Sequence, residues 1–463
     1  MIAAGAAQAQ QPAPAPTSTP SPARIDSPAE IDKLKESCGA FNIPDCAEEL
    51  FTGKPVHIAA GSIAPQNGFG AGIAYVGHKT TDNWRDSWDI DAVGSINGSW
   101  RAGAYLTLVH TPNNPVGVSF GTPPPIKTNL TELPEHSVIN IYAQAISLNK
   151  LTFFGLGPNT ARAGRTFYGM RETIVGVSAV KPFYEKLHAS FYGEINGRFV
   201  ALRPSPSQDI PSIQTLYTEA TAPGLIDQPS TIQLGEGIRM RPLFFDDYLR
   251  LNYDLNYKQY FAPGNSSFSF QRLTVHLSHE FALYSDTTRN LLPRDSNGPD
   301  DCSLDPSSSH PDCPKAYVRN REGTIGFLVY SALSMTPGGN IVPFYYQPTL
   351  GGSDIDGNAY LPSYQDFRFR APNVLLLRES FEHSIFSLPL GFALMADQGK
   401  VALNRGDLGP NPWLHSFSTG LTLRAGGFPQ VYLLFSWGGS EGTHTSASVN
   451  TSLLGGSTRP SLY

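Results

Sequence analysis

The sequence predicts an all-β protein: a closed antiparallel transmembrane β-barrel of about 16 strands, with a short N-terminal helical segment on the periplasmic side. Three observations predict this fold. Apolar and polar residues alternate with period two from about residue 66 onward. Only 16% of the 463 residues are charged, against about 25% in an ordinary soluble domain. The chain also carries 20 tyrosines and 26 phenylalanines, and aromatic residues concentrate at membrane interfaces.

Each alternating stretch indicates one strand with an apolar face and a strongly polar face. Along residues 249–258, for example, leucine and tyrosine alternate with arginine, asparagine, aspartate and lysine. Such stretches run for about 10–15 residues, whereas strands of globular sheets mostly have about five or six and a tilted membrane crossing needs about 9–11. Their polar faces carry charges of both signs, which is typical of a hydrated lumen. Because an open sheet edge in hydrocarbon leaves backbone groups unpaired, we expect the barrel to close.

About 16 strands of this kind can be placed along the chain. They lie near residues 68–78, 87–97, 100–110, 115–128, 138–148, 166–180, 187–202, 229–241, 247–261, 268–285, 321–334, 368–382, 386–400, 413–424, 428–438 and 443–454. Short and long connections roughly alternate, as expected for periplasmic turns and extracellular loops. The connection over 286–317 departs from this order, because it is long although the strand count places it among the short turns. An even strand number returns both chain ends to the periplasm.

Composition assigns the residues on either side of the barrel. Residues 1–9 contain Ala-Gln-Ala, a cleavage pattern that indicates a signal-peptide remnant. Residues 10–26 are rich in proline, alanine, serine and threonine, which predicts a disordered linker. A capping-box pattern predicts a helix early in a periplasmic segment over 27–65. The barrel is assigned to 66–455, and a C-terminal tail to 456–463.

The four cysteines fall into two close pairs in polar, loop-like sequence. The pairs are Cys38 with Cys46, and Cys302 with Cys313. Close pairing of this kind favours two local disulfides formed in the oxidising periplasm. Neither pair has the spacing of a zinc site or a histidine cluster beside it. We therefore expect no metal and no cofactor, and the net charge of −6 indicates no nucleic-acid partner.

Several short motifs occur in order along the predicted barrel. Residues 153–160 read Phe-Phe-Gly-Leu-Gly-Pro-Asn-Thr, and residues 342–345 read Val-Pro-Phe-Tyr. Residues 350–357 then read Leu-Gly-Gly-Ser-Asp-Ile-Asp-Gly, before Phe-Arg-Phe-Arg at 367–370 and Phe-Ala-Leu-Met-Ala-Asp-Gln-Gly-Lys-Val at 392–401. In this order the motifs resemble the BamA/TamA/two-partner-secretion superfamily, the bacterial surface antigen barrels of the outer membrane. The resemblance extends over the whole predicted barrel.

The resemblance implies that the loop before the twelfth strand folds into the lumen. In the family an arginine at the loop tip pairs with an acidic residue of the barrel, but Asp356 stands at that position here. A carboxylate cannot make that contact, so we expect the loop to be held differently or released. The implied loop-motif residues are Gly351, Gly352, Asp354, Asp356 and Gly357. The implied lumenal charge network comprises Arg368, Arg370, Arg378, Glu379 and Asp397.

A second departure from the family concerns its periplasmic repeats. Family members that insert or translocate proteins carry POTRA repeats before the barrel, whereas the segment before residue 66 is too short for one such repeat. The expected partners are therefore outer-membrane lipids, together with a periplasmic chaperone or a separate POTRA-bearing protein. We expect a monomeric barrel in the bacterial outer membrane.

The sequence leaves three functions open. The first is outer-membrane protein or lipid assembly, or export, through a labile seam between the glycine-rich first strand at 68–77 and the polar last strand. The second is a passive pore or structural barrel, which the missing repeats and the missing loop arginine favour. An enzyme ranks last, because catalysis would need a serine, a histidine and an asparagine or aspartate converging on the barrel wall, and we expect no enzymatic activity.

Overall fold

A computed structural model describes most of the predicted barrel. The described residues are 24–25, 56–81, 83–110, 136–205, 210–245, 248–291, 315–385, 390–425, 428–449 and 459–463. The predicted signal-peptide remnant, the predicted helix, both cysteine pairs and the predicted strand near 115–128 lie outside these residues. The two proposed disulfides therefore stay predictions.

Among the described residues, sixteen strands of seven or more residues belong to one sheet, and we number them β1 to β16. They are Val56–Ser62, Phe69–Thr80, Trp84–Ser95, Trp100–His110, Val138–Phe153, Thr166–Tyr184, Ala189–Pro204, Thr231–Met240, Leu249–Phe261, Phe270–Leu291, Lys315–Met335, Asn373–Ser384, Leu390–Ala402, Leu414–Ala425, Phe428–Gly439 and Gly442–Val449. Two-residue strands lie at Arg24–Ile25, Leu243–Phe244, Thr349–Leu350 and Phe369–Arg370. The helical turns are Arg162–Gly164, Glu185–Leu187, Ile213–Leu216, Ser266–Phe268, Pro337–Gly339, Phe344–Tyr346 and Arg405–Leu408. Among the described residues, no helix is long and apolar enough to cross a membrane.

Each strand from β1 to β15 pairs antiparallel with the next strand along the chain. Of the described residues of the two outermost strands, 56–62 pair with β2 and 442–449 pair with β15. The sheet curls round a lumen. Arg368, which precedes β12, contacts Glu441 beside β16 and Thr160 after β5. The all-β antiparallel barrel of about 16 strands predicted from the sequence is confirmed.

The first strand is not the predicted one. The sheet begins with β1 at Val56–Ser62, inside the segment 27–65 that the sequence assigns to the periplasm. The glycine-rich stretch 68–77 is therefore the second strand, and it is paired on both sides, with β1 and β3. Its glycines allow close packing instead of weakening an edge: a side chain at Gly77 would meet the ring of Trp88 on β3.

Burial in the sheet is inverted relative to a soluble protein. On β7, Phe199 is 52% exposed whereas its neighbour Arg198 is 1% exposed. On β14, Leu421 is 51% exposed and Thr422 is fully buried. Polar residues therefore face the interior and large apolar residues face outward. The outward set also includes Ile73, Ile90, Ile141, Val175, Phe191, Ile195, Ile232, Leu255, Phe281, Phe327, Leu394, Leu433 and Phe435. An apolar surface that continues from strand to strand matches the lipid-facing band of a transmembrane barrel.

The close approach of β2 and β3 gives a test of the sheet packing. A Cβ atom added to Gly72 would lie 1.9 Å from the carbonyl oxygen of Ala92. We expect Gly72→Ala to lower the free energy of unfolding by about 1–3 kcal/mol, because the strand must shift to relieve the overlap. The control is Gly94→Ala on β3, where no atom lies within 4 Å of the added carbon. Denaturant titration of the refolded barrel should show a shifted midpoint for the first variant, and equal midpoints would contradict this packing.

Candidate functional site in the lumen

The long connection between β11 and β12, residues 336–372, fills one end of the lumen, and we call it the lumenal loop. Its helical turn Phe344–Tyr346 is fully buried. The ring of Phe344 lies 5.0 Å from Phe153 of β5 and 5.2 Å from Tyr168 of β6, both edge to face. Aromatic contacts of this kind add stability beyond the area that they bury. The loop therefore packs against the opposite wall of the barrel as part of a hydrophobic core.

Glycines shape the predicted loop motif into a narrow hairpin. Gly351 and Gly352 have φ values of 97° and 60°, which L side chains rarely adopt. Gly351 donates its N–H to the carbonyl of Tyr360 at 3.0 Å, and Tyr360 donates back to Gly352 at 2.8 Å. At the tip Gly357, with a φ of 88°, closes a turn onto the carbonyl of Asp354. The hairpin holds Asp356 at its end.

One anchor of the loop is the ion pair between Arg378 and Asp397, which are directly opposite each other on β12 and β13. Arg378 makes two contacts with the carboxylate, Nε to Oδ1 at 2.6 Å and Nη2 to Oδ2 at 2.7 Å. The same two side chains also form hydrogen bonds with the hairpin backbone. Asp397 accepts from the N–H of Leu361 at 2.9 Å, and Arg378 donates to the carbonyl of Ala359 at 2.6 Å. This pair attaches the loop to the wall without an arginine at the loop tip.

A second anchor is Arg368, at the point where the loop leaves the lumen. Its guanidinium pairs with Glu441 and donates to both the side chain and the carbonyl of Thr160, at 2.6 and 2.7 Å. It also lies over the rings of Phe154 and Phe369. Both charged side chains of the pair are almost completely buried. Arg368 therefore ties together the connections that follow β5, β11 and β15.

The remaining members of the predicted charge network have different surroundings. Arg370 donates to the carbonyls of Phe344 and Gln347, at 2.9 and 3.2 Å, and so holds the loop turn in place. Glu379 does not belong to the network. It is exposed on the outer surface, because it follows Arg378 directly on β12 and consecutive strand residues point to opposite faces.

Asp356 has a partner that the sequence did not indicate. Its carboxylate accepts from the hydroxyl of Ser461 at 2.6 Å and from the N–H of Leu462 at 2.9 Å. Residues 459–463, which the sequence assigns to a C-terminal tail outside the barrel, therefore lie inside the lumen, and we call them the tail segment. The carboxylate at the loop tip therefore binds the tail segment, where the family resemblance implies an arginine that binds the barrel wall.

Asp354 carries the clearest electrostatic signature of the loop. Burial raises the pKa of this carboxyl from its ordinary value of 3.8 to about 7, and the neighbouring Asp356 carboxylate raises it as well. Two hydrogen bonds from Asn358, at 2.7 and 3.0 Å, act in the other direction. A protonated Asp354 is therefore easier to bury than an ionised one.

This raised pKa predicts that loop docking weakens as the pH rises. The docked loop binds the Asp354 proton more tightly than an exposed loop does. The protonated carboxyl therefore contributes fully to docking below pH 3.8, and this contribution is lost as the pH rises through about 7. In single-channel recordings we expect more frequent opening at pH 8 than at pH 5. Asp354→Asn, which mimics the protonated form, should remove most of this difference. If the variant kept the same pH dependence of opening, this dependence would arise from groups other than Asp354.

Several lumenal residues were missed by sequence reasoning. Arg198 of β7 and Glu172 of β6 form a completely buried ion pair with an N–O distance of 3.0 Å. Arg424 and Glu382 form another, with Thr422 donating to the same carboxylate. All of these residues lie on polar strand faces, so alternation gives their inward direction. Their pairing depends on strand register, which the sequence pattern does not fix.

The fold and this site define a class of protein: an antiparallel barrel of about 16 strands with an apolar outer surface and an inward-folded loop. No protein-family model matches the sequence, and no curated protein matches it. Solved barrel structures are similar to it. BamA from Haemophilus ducreyi lacking POTRA domains 1-3 is 12% identical with a TM-score of 0.44, covering 88% of this chain and 75% of that chain.

Two further matches are CdiB structures. CdiB from Escherichia coli is 11% identical with a TM-score of 0.43, covering 88% of this chain and 70% of that chain. CdiB from Acinetobacter baumannii is 12% identical with a TM-score of 0.42, covering 85% of this chain and 59% of that chain. At these identities the likeness concerns the fold alone. The resemblance to the BamA/TamA/two-partner-secretion superfamily stays an expectation from the sequence motifs.

Proposed function

We propose that this chain is a bacterial outer-membrane barrel that acts in the assembly of outer-membrane proteins or lipids, or in export. The observation that carries the proposal is the lumenal loop, which is docked inside the barrel and anchored by the ion pairs Arg378–Asp397 and Arg368–Glu441. A loop held by ion pairs closes the lumen and can be released as a unit. The apolar outer surface supports the membrane location.

The proposed route for substrates is the seam between β1 and β16. Within the described residues these are the two shortest of the strands β1 to β16, with seven and eight residues. Over 56–62 and 442–449, fewer backbone hydrogen bonds can join them than join the long central strands, so separating these residues costs less. Residues 442–449 consist mainly of glycine, serine, threonine and histidine, so this strand is also weakly anchored in lipid. Both properties lower the cost of lateral opening.

A passive pore or structural barrel is the second candidate. The specific observation in its favour is Asp356 at the loop tip, which replaces the arginine expected from the family resemblance. The buried aromatic residues of the lumenal loop argue against an open pore, because they occupy the lumen between opposite walls.

We propose that outer-membrane lipids surround the barrel and that the barrel is a monomer. We propose a periplasmic chaperone or a separate POTRA-bearing protein as its partner, and no enzymatic activity.

The test is to lock the seam in cells. With the four native cysteines replaced by serine, one cysteine is placed at Ala59 and a second is scanned along 444–448. When oxidation joins two cysteines across the seam, folded outer-membrane proteins or secreted proteins should stop accumulating, as measured by quantitative mass spectrometry. Reduction of the disulfide should restore their accumulation. The control is Ala145→Cys with Thr173→Cys, a directly opposed pair on β5 and β6, whose oxidation should have no effect.

Two results would contradict the proposal. Normal assembly and export with a fully locked seam would exclude lateral opening as the mechanism. A change confined to the uptake of small solutes, with unaltered protein composition of the membrane and the medium, would support the passive pore instead.

A further inference from the structure

The tail segment is bound to the lumen by polar contacts along its whole length. Arg459 pairs with Asp91 of β3 at 2.8 Å, and this carboxylate also pairs with Arg101 of β4 at 2.9 Å. The carbonyl of Ser461 accepts from Nη2 of Arg198 at 2.8 Å. The side chains of Asp91 and Arg198 are 1% exposed or less. The segment therefore rests on charged groups that the barrel wall holds in a buried position.

The two central residues of the segment meet the loop tip. Asp356 accepts from both the hydroxyl of Ser461 and the N–H of Leu462. The same hydroxyl oxygen accepts from the N–H of Tyr463 at 3.1 Å. A carboxylate that accepts two hydrogen bonds from adjacent residues recognises both a hydroxyl side chain and an extended backbone.

The end of the segment occupies a mainly apolar position. Leu462 is only 6% exposed and belongs to the same core as Phe344 and Phe367 of the lumenal loop. The Tyr463 hydroxyl lies 3.1 Å from the hydroxyl of Thr349, and Lys258 of β9 donates to the main-chain oxygen of Tyr463 at 3.4 Å. The surroundings thus accept an aliphatic side chain followed by an aromatic one with a polar tip.

These contacts come from β3, β7, β9 and two parts of the lumenal loop, which are far apart in sequence. Such an arrangement is a formed binding site and not a chance contact of a chain end, because two of its charged groups, Asp91 and Arg198, are also paired within the barrel wall, with Arg101 and Glu172. Unpaired charges in these positions would be costly, so the site keeps its shape when the tail segment leaves.

We infer that the lumen contains a peptide-binding site whose occupant within the chain is the tail segment. The ligand class is an extended polypeptide that presents an arginine, a hydroxyl residue, an aliphatic residue and an aromatic residue in close succession. A second polypeptide of this chemistry competes with the tail segment for Asp356 and Arg198. This inference goes beyond the proposed function, because it requires neither lateral opening nor transport.

The test uses the full-length chain with Leu462→Asp and Tyr463→Ala, which empties the site by placing a carboxylate in its apolar part. The probe is the peptide Arg-Pro-Ser-Leu-Tyr with a fluorescent label at its N-terminus, and binding to the refolded barrel in detergent is followed by fluorescence anisotropy. We expect saturable binding to this variant and at least about tenfold weaker binding to the unaltered chain, whose site is occupied. Adding Asp356→Ala to the variant should weaken binding by at least about tenfold as well, because two hydrogen bonds to a charged acceptor are lost.

Equal affinity for the three proteins, or no binding to any of them, would overturn the inference. A second measurement on the full chain covers the possibility that the altered tail disturbs folding. With the native cysteines replaced by serine, Asp356→Cys and Ser461→Cys should be joined efficiently by a short bismaleimide. The control pairs Ser461→Cys with Glu379→Cys, on the outer surface, and should give no intramolecular product. Absence of the 356–461 product would equally overturn the inference, whereas failure of the seam experiment would leave it standing.

Discussion

Replacing Arg368 by methionine should lower the free energy of unfolding by about 3–5 kcal/mol, because the change leaves a carboxylate buried without its partner. The Arg368–Glu441 pair is almost inaccessible to water, and the guanidinium also holds the backbone and side chain of Thr160. Methionine keeps an unbranched stem between Phe154 and Phe369, so the loss is mainly electrostatic. Equilibrium denaturation of the refolded barrel measures the effect.

A partly exposed ion pair provides the matched control. Arg239 of β8 and Asp254 of β9 are 3.3 Å apart, with both side chains about a third exposed. Arg239→Met should change the free energy of unfolding by less than about 1 kcal/mol, since water screens such pairs. Glu441→Gln in the Arg368→Met background should recover part of the loss, because it removes the buried charge. Similar losses for Arg368→Met and Arg239→Met would show that the buried pair does not anchor the lumenal loop.

Deleting residues 353–366 should produce the largest functional change. These residues form the hairpin that crosses the lumen, and they include the Asp356 contact that holds the tail segment. A barrel of this strand number leaves an aqueous channel where no chain segment fills it. Removing the hairpin, with the turn Phe344–Tyr346 still in place, should therefore raise single-channel conductance in planar bilayers several-fold. The control deletes Arg405–Leu408, an exposed helical turn between β13 and β14, and should leave the conductance unchanged. Equal conductance of the hairpin deletion and the unaltered chain would mean that residues 353–366 do not block the lumen.

The fold was largely predictable because alternation with period two survives in many of the long strands. Along β9, Leu255 faces outward and Asp254 inward, as the pattern requires. The first strand was missed because Val56–Ser62 has only seven residues and contains Gly61 and two alanines, which gives too short a pattern to distinguish a strand from a loop. The glycines of 68–77 predicted a weak edge because their role, close packing against β3, depends on a neighbour that the sequence does not identify.

The candidate site was predictable only in part. Arg378 and Asp397 both lie on inward faces, so alternation together with the family resemblance found them. The prediction that Glu379 belongs to the lumenal charge network was wrong. Alternation alone excludes Glu379 from the lumen once Arg378 points inward, since the two residues are adjacent on one strand. The tail segment could not be predicted, because Arg198 binds Ser461 across 263 positions of sequence and five residues without periodicity carry no signal of where they dock.

Lipid should cover the outward apolar side chains of the sheet. The most direct test places a nitroxide spin label at single positions of the barrel refolded into vesicles and measures its collisions with oxygen and with a water-soluble nickel complex. Labels at Phe199, Leu255 and Leu394 should collide mainly with oxygen, which dissolves in lipid, and labels at Asp254 and Lys258 mainly with the nickel complex. Nickel collisions at all five positions would place water on both faces of the sheet and contradict the transmembrane barrel.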